Sequence, residues 1–200
     1  MNRIITISRE FGSGGKEVGK RLSDVLGCAF YDEQIIAEVA KQTGMNPEYV
    51  EEVSEKAVTF FSTQFGHTFY NQQQIDVLVS QQKIIRELAS KGDCVIVGHG
   101  CAEILADFEP FSIFVHADMD AKLKRCRLKG PEDENLTDKE LIRKIKDVDK
   151  NRRKVHEMIA ASRWGEKENY DLCINTTQTE IKKIIPALAA YAQAWFVSKK

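Results

Sequence analysis

Five short apolar runs, each separated from the next by a longer helical stretch, constrain the fold of this 200-residue chain more than any other feature. They are rich in β-branched residues and lie at residues 4–8, 28–31, 94–97, 111–116 and 172–175. Continuous apolar runs are typical of strands that helices cover on both faces, as in a parallel sheet. The alternation predicts one doubly wound α/β domain over residues 1–200, with ligands bound at the carboxyl ends of the strands.

Capping patterns mark where two of the helices begin. Thr137 and Glu140 form a capping-box pattern before a long helix, and Thr177 and Glu180 repeat this pattern before the last helix. In such a box the hydroxyl accepts from a backbone N–H of the first turn, and the glutamate reaches back to the cap. We therefore expect the last two long helices to start at these residues.

A glycine-rich segment joins the first apolar run to the first helix and consists of Gly12, Ser13, Gly14, Gly15, Lys16 and Glu17. Glycines let backbone N–H groups converge on an anion without Cβ clashes, and a helix N-terminus adds partial positive charge. A lysine at this place can bridge the terminal phosphates of a nucleotide. We interpret the segment as a nucleotide-phosphate-binding loop; the alternative is a flexible turn with a solvated lysine.

This loop matches the Walker A pattern only in part. Gly15 and Lys16 fit its Gly-Lys pair, whereas Glu10 stands at its first glycine. The hydroxyl that would bind Mg²⁺ falls on Glu17 or Val18, and neither is Ser or Thr. The Mg²⁺ ligands therefore stay open, and a nucleotide-binding regulatory protein with little turnover remains an alternative to an enzyme.

Composition argues against several other classes of protein. Lys and Arg number 29 against 30 Asp and Glu, so the net charge of -1 does not signal a nucleic-acid partner. The first apolar run is too short for a signal peptide, and no stretch is long enough to span a bilayer. The five scattered cysteines lack metal-ligand spacing and favour a reducing compartment. We expect a cytoplasmic protein without a membrane partner.

Basic residues flank an acidic segment, residues 131–135, which predicts a mobile lid at about residues 129–137. In the helix that follows, Arg152 occupies a step of an apolar stripe, between Val148 and Val155. An unpaired charge on such a face is costly, and a bound phosphate or a buried carboxylate would offset the cost. We expect Arg152 to contact phosphate, with a structural ion pair as the alternative. Arg125 and Arg153 are weaker acceptor or lid candidates.

The sequence resembles the cytidylate kinase-like family of the P-loop kinases over nearly the whole chain. The matching residues are the segment ITISREFGSGG at 5–15, Phe30-Tyr31-Asp32, Val95-Ile96-Val97-Gly98, Arg152, Trp164, Tyr170-Asp171-Leu172 and Asn175. The resemblance implies a P-loop NTPase fold with a parallel five-stranded sheet, a lid and an acceptor-binding helical region at about residues 33–90.

The resemblance also implies a set of site residues. The loop with Lys16 would hold the ATP phosphates, and Asp32 would face the acceptor, although Asp32 is also placed to cap a helix. His99 follows Gly98 where relatives commonly carry an arginine, and it borders the same site. The aromatic residues between positions 60 and 70 would cap the acceptor pocket or form a homodimer contact.

The activity that the resemblance implies is transfer of the ATP γ-phosphate, with Mg²⁺, to a nucleoside monophosphate such as CMP or dCMP, or to another small acceptor. In such a reaction the protein acts mainly by positioning and by neutralising charge. Lys16 and Arg152 would supply that charge, and Asp32 would orient the acceptor or, as a lesser alternative, act as a base.

Overall fold

The computed structural model describes residues 2–55, 72–98, 100–129, 136–160 and 162–199, which contain a five-stranded parallel sheet. Its strands are β1 (Ile4–Arg9), β2 (Ala29–Tyr31), β3 (Cys94–Val97), β4 (Phe111–His116) and β5 (Leu172–Asn175). Their order is β2-β3-β1-β4-β5, and every neighbouring pair is parallel. The predicted fold class is confirmed, and each strand lies at its predicted apolar run.

Helices cover the sheet and carry the site-bearing loops at their ends. They are α1 (Gly15–Leu26), α2 (Glu33–Thr43), α3 (Pro47–Glu55), α4 (Gln72–Ser90), α5 (Cys101–Ile104), α6 (Met119–Lys129), α7 (Asp138–Ile159) and α8 (Ile181–Ser198). Within the described ranges, none of these helices combines the length and the apolar character needed to cross a membrane.

Alternation along the strands divides the core into two layers. Ile4 and Ile96 pack with α2, α3 and α4 on one face, whereas Ile5, Ile7 and Val95 pack with α1 and α8 on the other. Both faces of the central strands are therefore buried, which explains why their sequences are continuously apolar rather than alternating.

The two predicted capping boxes have different outcomes. Thr137 and Glu140 form the complete box at the start of α7. The box at Thr177 is wrong, because α8 begins at Ile181 with Glu180 as its N-cap and no side-chain cap bond among the described residues. The Thr177 hydroxyl instead accepts from the Asp118 N–H at 2.8 Å. The hydroxyl thus ties the loop after β5 to the loop after β4, a tertiary use that local spacing cannot reveal.

Helix α1 lies unusually close to the sheet at Gly19. A Cβ atom there would lie 2.7 Å from Val97 Cγ2 and 3.2 Å from Ile7 Cδ1. We expect Gly19→Ala to lower the free energy of unfolding by about 1–3 kcal/mol through overpacking, whereas helix propensity alone would raise it by up to about 1 kcal/mol. Urea denaturation measures the change, with Lys20→Ala at the exposed next position as control. An unchanged or more stable Gly19→Ala protein would contradict the close approach.

Candidate functional site

The glycine-rich loop lies at the carboxyl end of β1 and leads directly into α1. Gly12 and Gly14 have left-handed φ angles of 74° and 84°, and a Cβ at Gly14 would collide with the Ile181 side chain. Both positions therefore require glycine. Because α1 begins at Gly15, the N–H groups of its first turn, which have no partner inside the helix, open onto this loop.

Side-chain hydroxyls fix the shape of the loop from beneath. Ser13 is fully buried, and its hydroxyl donates to the Glu10 carbonyl at 2.8 Å. The Thr176 hydroxyl, at the end of β5, donates to the Ser13 carbonyl at 2.7 Å. The loop is thus held by the neighbouring strand end as well as by its own turn, which argues against the interpretation as a flexible turn.

A cleft of about 600 Å³ opens above the loop, and Lys16, Arg125 and Arg152 all line it. Arg125 donates to the Gly12 carbonyl at 3.5 Å, and Arg152 donates to the Arg9 carbonyl at 3.3 Å. The structure therefore brings together three cations that the sequence singled out. Arg153, by contrast, is exposed and is not among the described residues that line the cleft.

Two carboxylates hold the Lys16 ammonium group. Its Nζ lies 3.1 Å from Asp32 Oδ2 and donates to Glu33 Oε1. Partial burial lowers the pKa of Lys16, but the bonds to Glu33 and Asp32 outweigh it and hold that pKa above its ordinary value. Lys16 is thus positively charged and already oriented at the mouth of the loop.

Asp32 stands at the N-cap position of α2, yet within the described residues its side chain makes no cap bond. The residue is only 8% exposed, and its carboxylate faces Lys16 and the Arg9 guanidinium, whose Nη2 lies 3.9 Å from Oδ1. The capping alternative for the Asp32 side chain is therefore not adopted. Its carboxylate belongs to the charged cluster beside the phosphate loop.

Arg9 is a site residue that the sequence interpretation did not single out. Its side chain is 12% exposed and passes so close to Gly98 that a Cβ there would collide with the guanidinium group. The available signal was a charged residue at the end of an apolar strand, at the edge of the sheet where ligands bind. Its contact with Gly98 depends on the pairing of β1 with β3.

A second, much smaller cavity of about 20 Å³ lies beside the cleft. Arg9 and Arg152 line both cavities. The remaining lining residues of the small cavity come from the strand ends and from the α3 and α7 regions: Ser8, Ser54, Gly98, Gly100, Val155, His156 and Trp164. Two arginines therefore line both the cleft and a small cavity that has room for about one water molecule.

Sequence reasoning also missed a buried ionic network below the cleft. Lys122 Nζ lies 2.8 Å from Glu10 Oε2 and 3.0 Å from Asp149 Oδ2. Asp149 Oδ1 accepts from the Phe11 N–H at 2.6 Å. Burial raises the pKa of Asp149 above its ordinary value, against the opposing effects of the Phe11 N–H and Lys122. Glu10, which stands at the first-glycine position of the loop, thus belongs to a network of ion pairs and hydrogen bonds with Lys122 and Asp149.

Several predicted features lie outside the described residues. These are His99, most of the lid segment and the aromatic residues between positions 60 and 70. Their assignments to the acceptor pocket, to the lid or to a dimer contact stay predictions.

The sequence and the fold of this chain are similar to those of kinase-like proteins. The profile of the cytidylate kinase-like family matches residues 4–178. A solved, uncharacterized protein from Eubacterium ventriosum is 28% identical, with 96% of this chain and 98% of that chain covered and a TM-score of 0.68. No curated protein matches the sequence.

Two solved kinases of known type share the fold at lower identity. A shikimate kinase from Acinetobacter baumannii in complex with shikimate is 19% identical, with 100% and 96% of the two chains covered and a TM-score of 0.55. A gluconokinase from Sinorhizobium meliloti is 15% identical, with 100% and 98% covered and a TM-score of 0.53. These likenesses show the P-loop kinase fold.

Proposed function

The chain belongs to the cytidylate kinase-like family, and on that premise we propose that it is a small-molecule kinase. It transfers the γ-phosphate of ATP to a nucleoside monophosphate of the CMP or dCMP type, or to another small acceptor. The observation that carries the proposal is the cleft above the glycine-rich loop, which Lys16, Arg125 and Arg152 line. Arg9 and Arg152 line the side of this cleft that faces the ends of β1 and β3, and we place the meeting point of the donor phosphate and the acceptor at these two arginines.

The residues of the cleft fit the triphosphate of ATP. The loop offers N–H groups at the start of α1, and Lys16, Arg125 and Arg152 add three positive charges. The volume of about 600 Å³ is within the range of small-molecule sites. In the proposal, Lys16 bridges the terminal phosphates, and the two arginines contact the remaining oxygens from α6 and α7.

The acidic residues near the loop are compatible with Mg²⁺. Glu17 lines the cleft at the position where a Walker A loop carries a hydroxyl, and its carboxylate accepts from Arg21 Nε at 3.0 Å. Asp32 Oδ2 lies 3.1 Å from Lys16 Nζ. Carboxylate oxygens are ligands that Mg²⁺ accepts, and in phosphoryl transfer the ion neutralises charge on the phosphates. We assign Glu17 as the side chain that would hold it, directly or through water.

The chain's own groups account for the remaining steps. Lys16 and Arg152 neutralise the charge that develops on the transferring phosphoryl group, where positioned cations contribute most. Asp32 contacts both Lys16 and Arg9, and its carboxylate orients the acceptor toward the donor by accepting from an acceptor N–H or O–H group. Nearly complete burial of Asp32 keeps this orientation fixed.

One observation favours a second candidate, a nucleotide-binding regulatory protein with little turnover. Asp32 and Glu33 both engage Lys16, so ATP phosphates must compete with two carboxylates for the same ammonium group. A protein in which the two carboxylates keep Lys16 would bind nucleotide through the rest of the loop and would transfer little or no phosphate.

An acceptor panel separates the two candidates. ATP consumption is measured with CMP, dCMP, other nucleoside monophosphates and small hydroxylated acids or sugars, and ATP binding is measured by calorimetry in parallel. The kinase proposal expects consumption that depends on one acceptor class and forms its phosphorylated product. ATP binding without consumption on any acceptor would favour the regulatory protein.

Asp32→Asn tests the assignment of the acceptor side. Because the amide keeps the shape but loses the charge that faces Lys16 and Arg9, we expect turnover to fall at least about tenfold and the acceptor KM to rise. The ATP Kd should fall or stay within about threefold of its original value, since removing a negative charge that competes for Lys16 does not weaken phosphate binding. Unchanged turnover and unchanged acceptor KM would reduce Asp32 to an ion-pair partner of Lys16.

A further inference from the structure

Glu10 brings a negative charge to the edge of a cleft that we assign to phosphates. Glu10 lines that cleft. Its carboxylate lies 2.8 Å from Lys122 Nζ and accepts from the Ala117 N–H at 3.1 Å. Asp149 shares the same ammonium group from the other side, at 3.0 Å. The buried Lys122 ammonium group therefore forms ion pairs with two carboxylates, Glu10 and Asp149, next to the phosphate loop.

The network also connects the loop to both helices that supply the cleft arginines. Lys122 precedes Arg125 by one turn of α6, and Asp149 precedes Arg152 by one turn of α7. Asp149 additionally accepts from the Phe11 N–H, inside the loop. The side chain of Lys122 is only 6% exposed, so its charge is screened little by solvent.

We propose that Lys122 is a positioning residue of the phosphate site: it neutralises Glu10 at the cleft and, through Asp149, fixes the loop against the two arginine-bearing helices. The inference rests on the proposed function, because it requires that the cleft bind nucleotide phosphates. It explains how this chain carries a glutamate where the loop pattern has a glycine. Lys122 acts through Glu10 and Asp149 and does not itself contact the phosphates.

A neutralising role differs from a merely structural one in how two substitutions combine. Without Lys122, the Glu10 carboxylate would repel the phosphates across a partly buried site, where such repulsion is strong. Removing the Glu10 charge as well would relieve the repulsion. If Lys122 only held the fold together, a second substitution in the network would add damage instead.

The test measures ATP binding by calorimetry to the full chain and to the variants Lys122→Met, Glu10→Gln and Glu10→Gln/Lys122→Met. We expect Lys122→Met to weaken ATP binding at least about tenfold, as truncation of one partner of a buried charge pair does. The double variant should bind at least about threefold more tightly than Lys122→Met, because neighbouring sites combine non-additively. Glu10→Gln alone should bind ATP at least as tightly as the unmodified protein.

Arg127→Met is the matched control, because Arg127 pairs with Asp138 across the same two helices at 2.8 Å but at the exposed surface. Its ATP affinity should stay within about twofold, as expected for an exposed pair. A double variant that binds no better than Lys122→Met would overturn the inference while leaving the proposed function intact.

If Lys122→Met does not fold, Glu10→Gln decides, since the glutamine oxygen can still accept from Ala117. ATP binding by Glu10→Gln that is tighter than, or within about threefold of, that of the unmodified protein supports the neutralising role, and binding weakened more than about threefold overturns it. Unmodified protein that binds no ATP would overturn the proposed function, and this inference with it.

Discussion

Lys16→Ala is expected to lower turnover at least about 10²-fold, because a positioned cation on a transferring phosphoryl group contributes a few kcal/mol to catalysis. Lys16→Arg should recover part of the loss, since the charge survives while the compact ammonium geometry does not. Lys83→Ala is the control, because Lys83 is also an exposed lysine paired with a glutamate, on α4. Initial rates at saturating ATP and acceptor measure the effect.

The same variant separates binding from folding. The Lys16 side chain is 56% exposed, so the melting temperature without ligand should change little. The rise in melting temperature that ATP induces should shrink, because stabilisation by a ligand follows its affinity. A Lys16→Ala protein that retains both turnover and this rise would show that the phosphate charge is drawn from the arginines alone.

Arg152→Ala is expected to lower turnover by about 10²–10³-fold while the protein stays folded, in the manner of other arginines that stabilise transferring phosphoryl groups. The guanidinium group is half-buried, donates to the Arg9 carbonyl at 3.3 Å and lies 5.8 Å from the centre of the Phe11 ring. The turnover number should fall more than ATP affinity, since the charge acts mainly in the transition state.

Arg143→Ala controls for loss of an arginine from the same helix, because Arg143 is 86% exposed and pairs only loosely with Asp147 at 3.8 Å. Circular dichroism and thermal melting establish that each variant is folded, and steady-state kinetics give turnover and KM. Kinetics of Arg152→Ala that equal those of Arg143→Ala would reduce Arg152 to a structural residue of α7.

The strands could be predicted because burial on both faces leaves a continuous apolar signal along each of them. A related signal singled out Arg152, a charge within an apolar helical stripe, and the structure places this residue at the cleft. Its contact with phosphate stays a prediction. Lys16 followed from the local pattern of strand, glycines and helix. In each case the decisive physics lies within one segment of the chain.

Lys122 and Asp149 could not be found in this way, because their contacts join segments far apart in sequence. Lys122 is one of several basic residues on α6, and only its burial against Glu10 and Asp149 distinguishes it from its neighbours. Asp32 illustrates the same limit, because its sequence position is compatible with a helix cap and with a substrate contact. In the structure its carboxylate faces Lys16 and Arg9 and makes no cap bond within the described residues.

A crystal structure with a non-hydrolysable ATP analogue and Mg²⁺ would show whether nucleotide phosphates bind at the glycine-rich loop. We predict that the β- and γ-phosphates lie on the N–H groups at the start of α1, with Lys16 Nζ moved from Glu33 onto a phosphate oxygen. Arg125 and Arg152 should contact the same phosphates. A loop that binds no phosphate in crystals grown with excess nucleotide, or a nucleotide bound elsewhere on the protein, would contradict it.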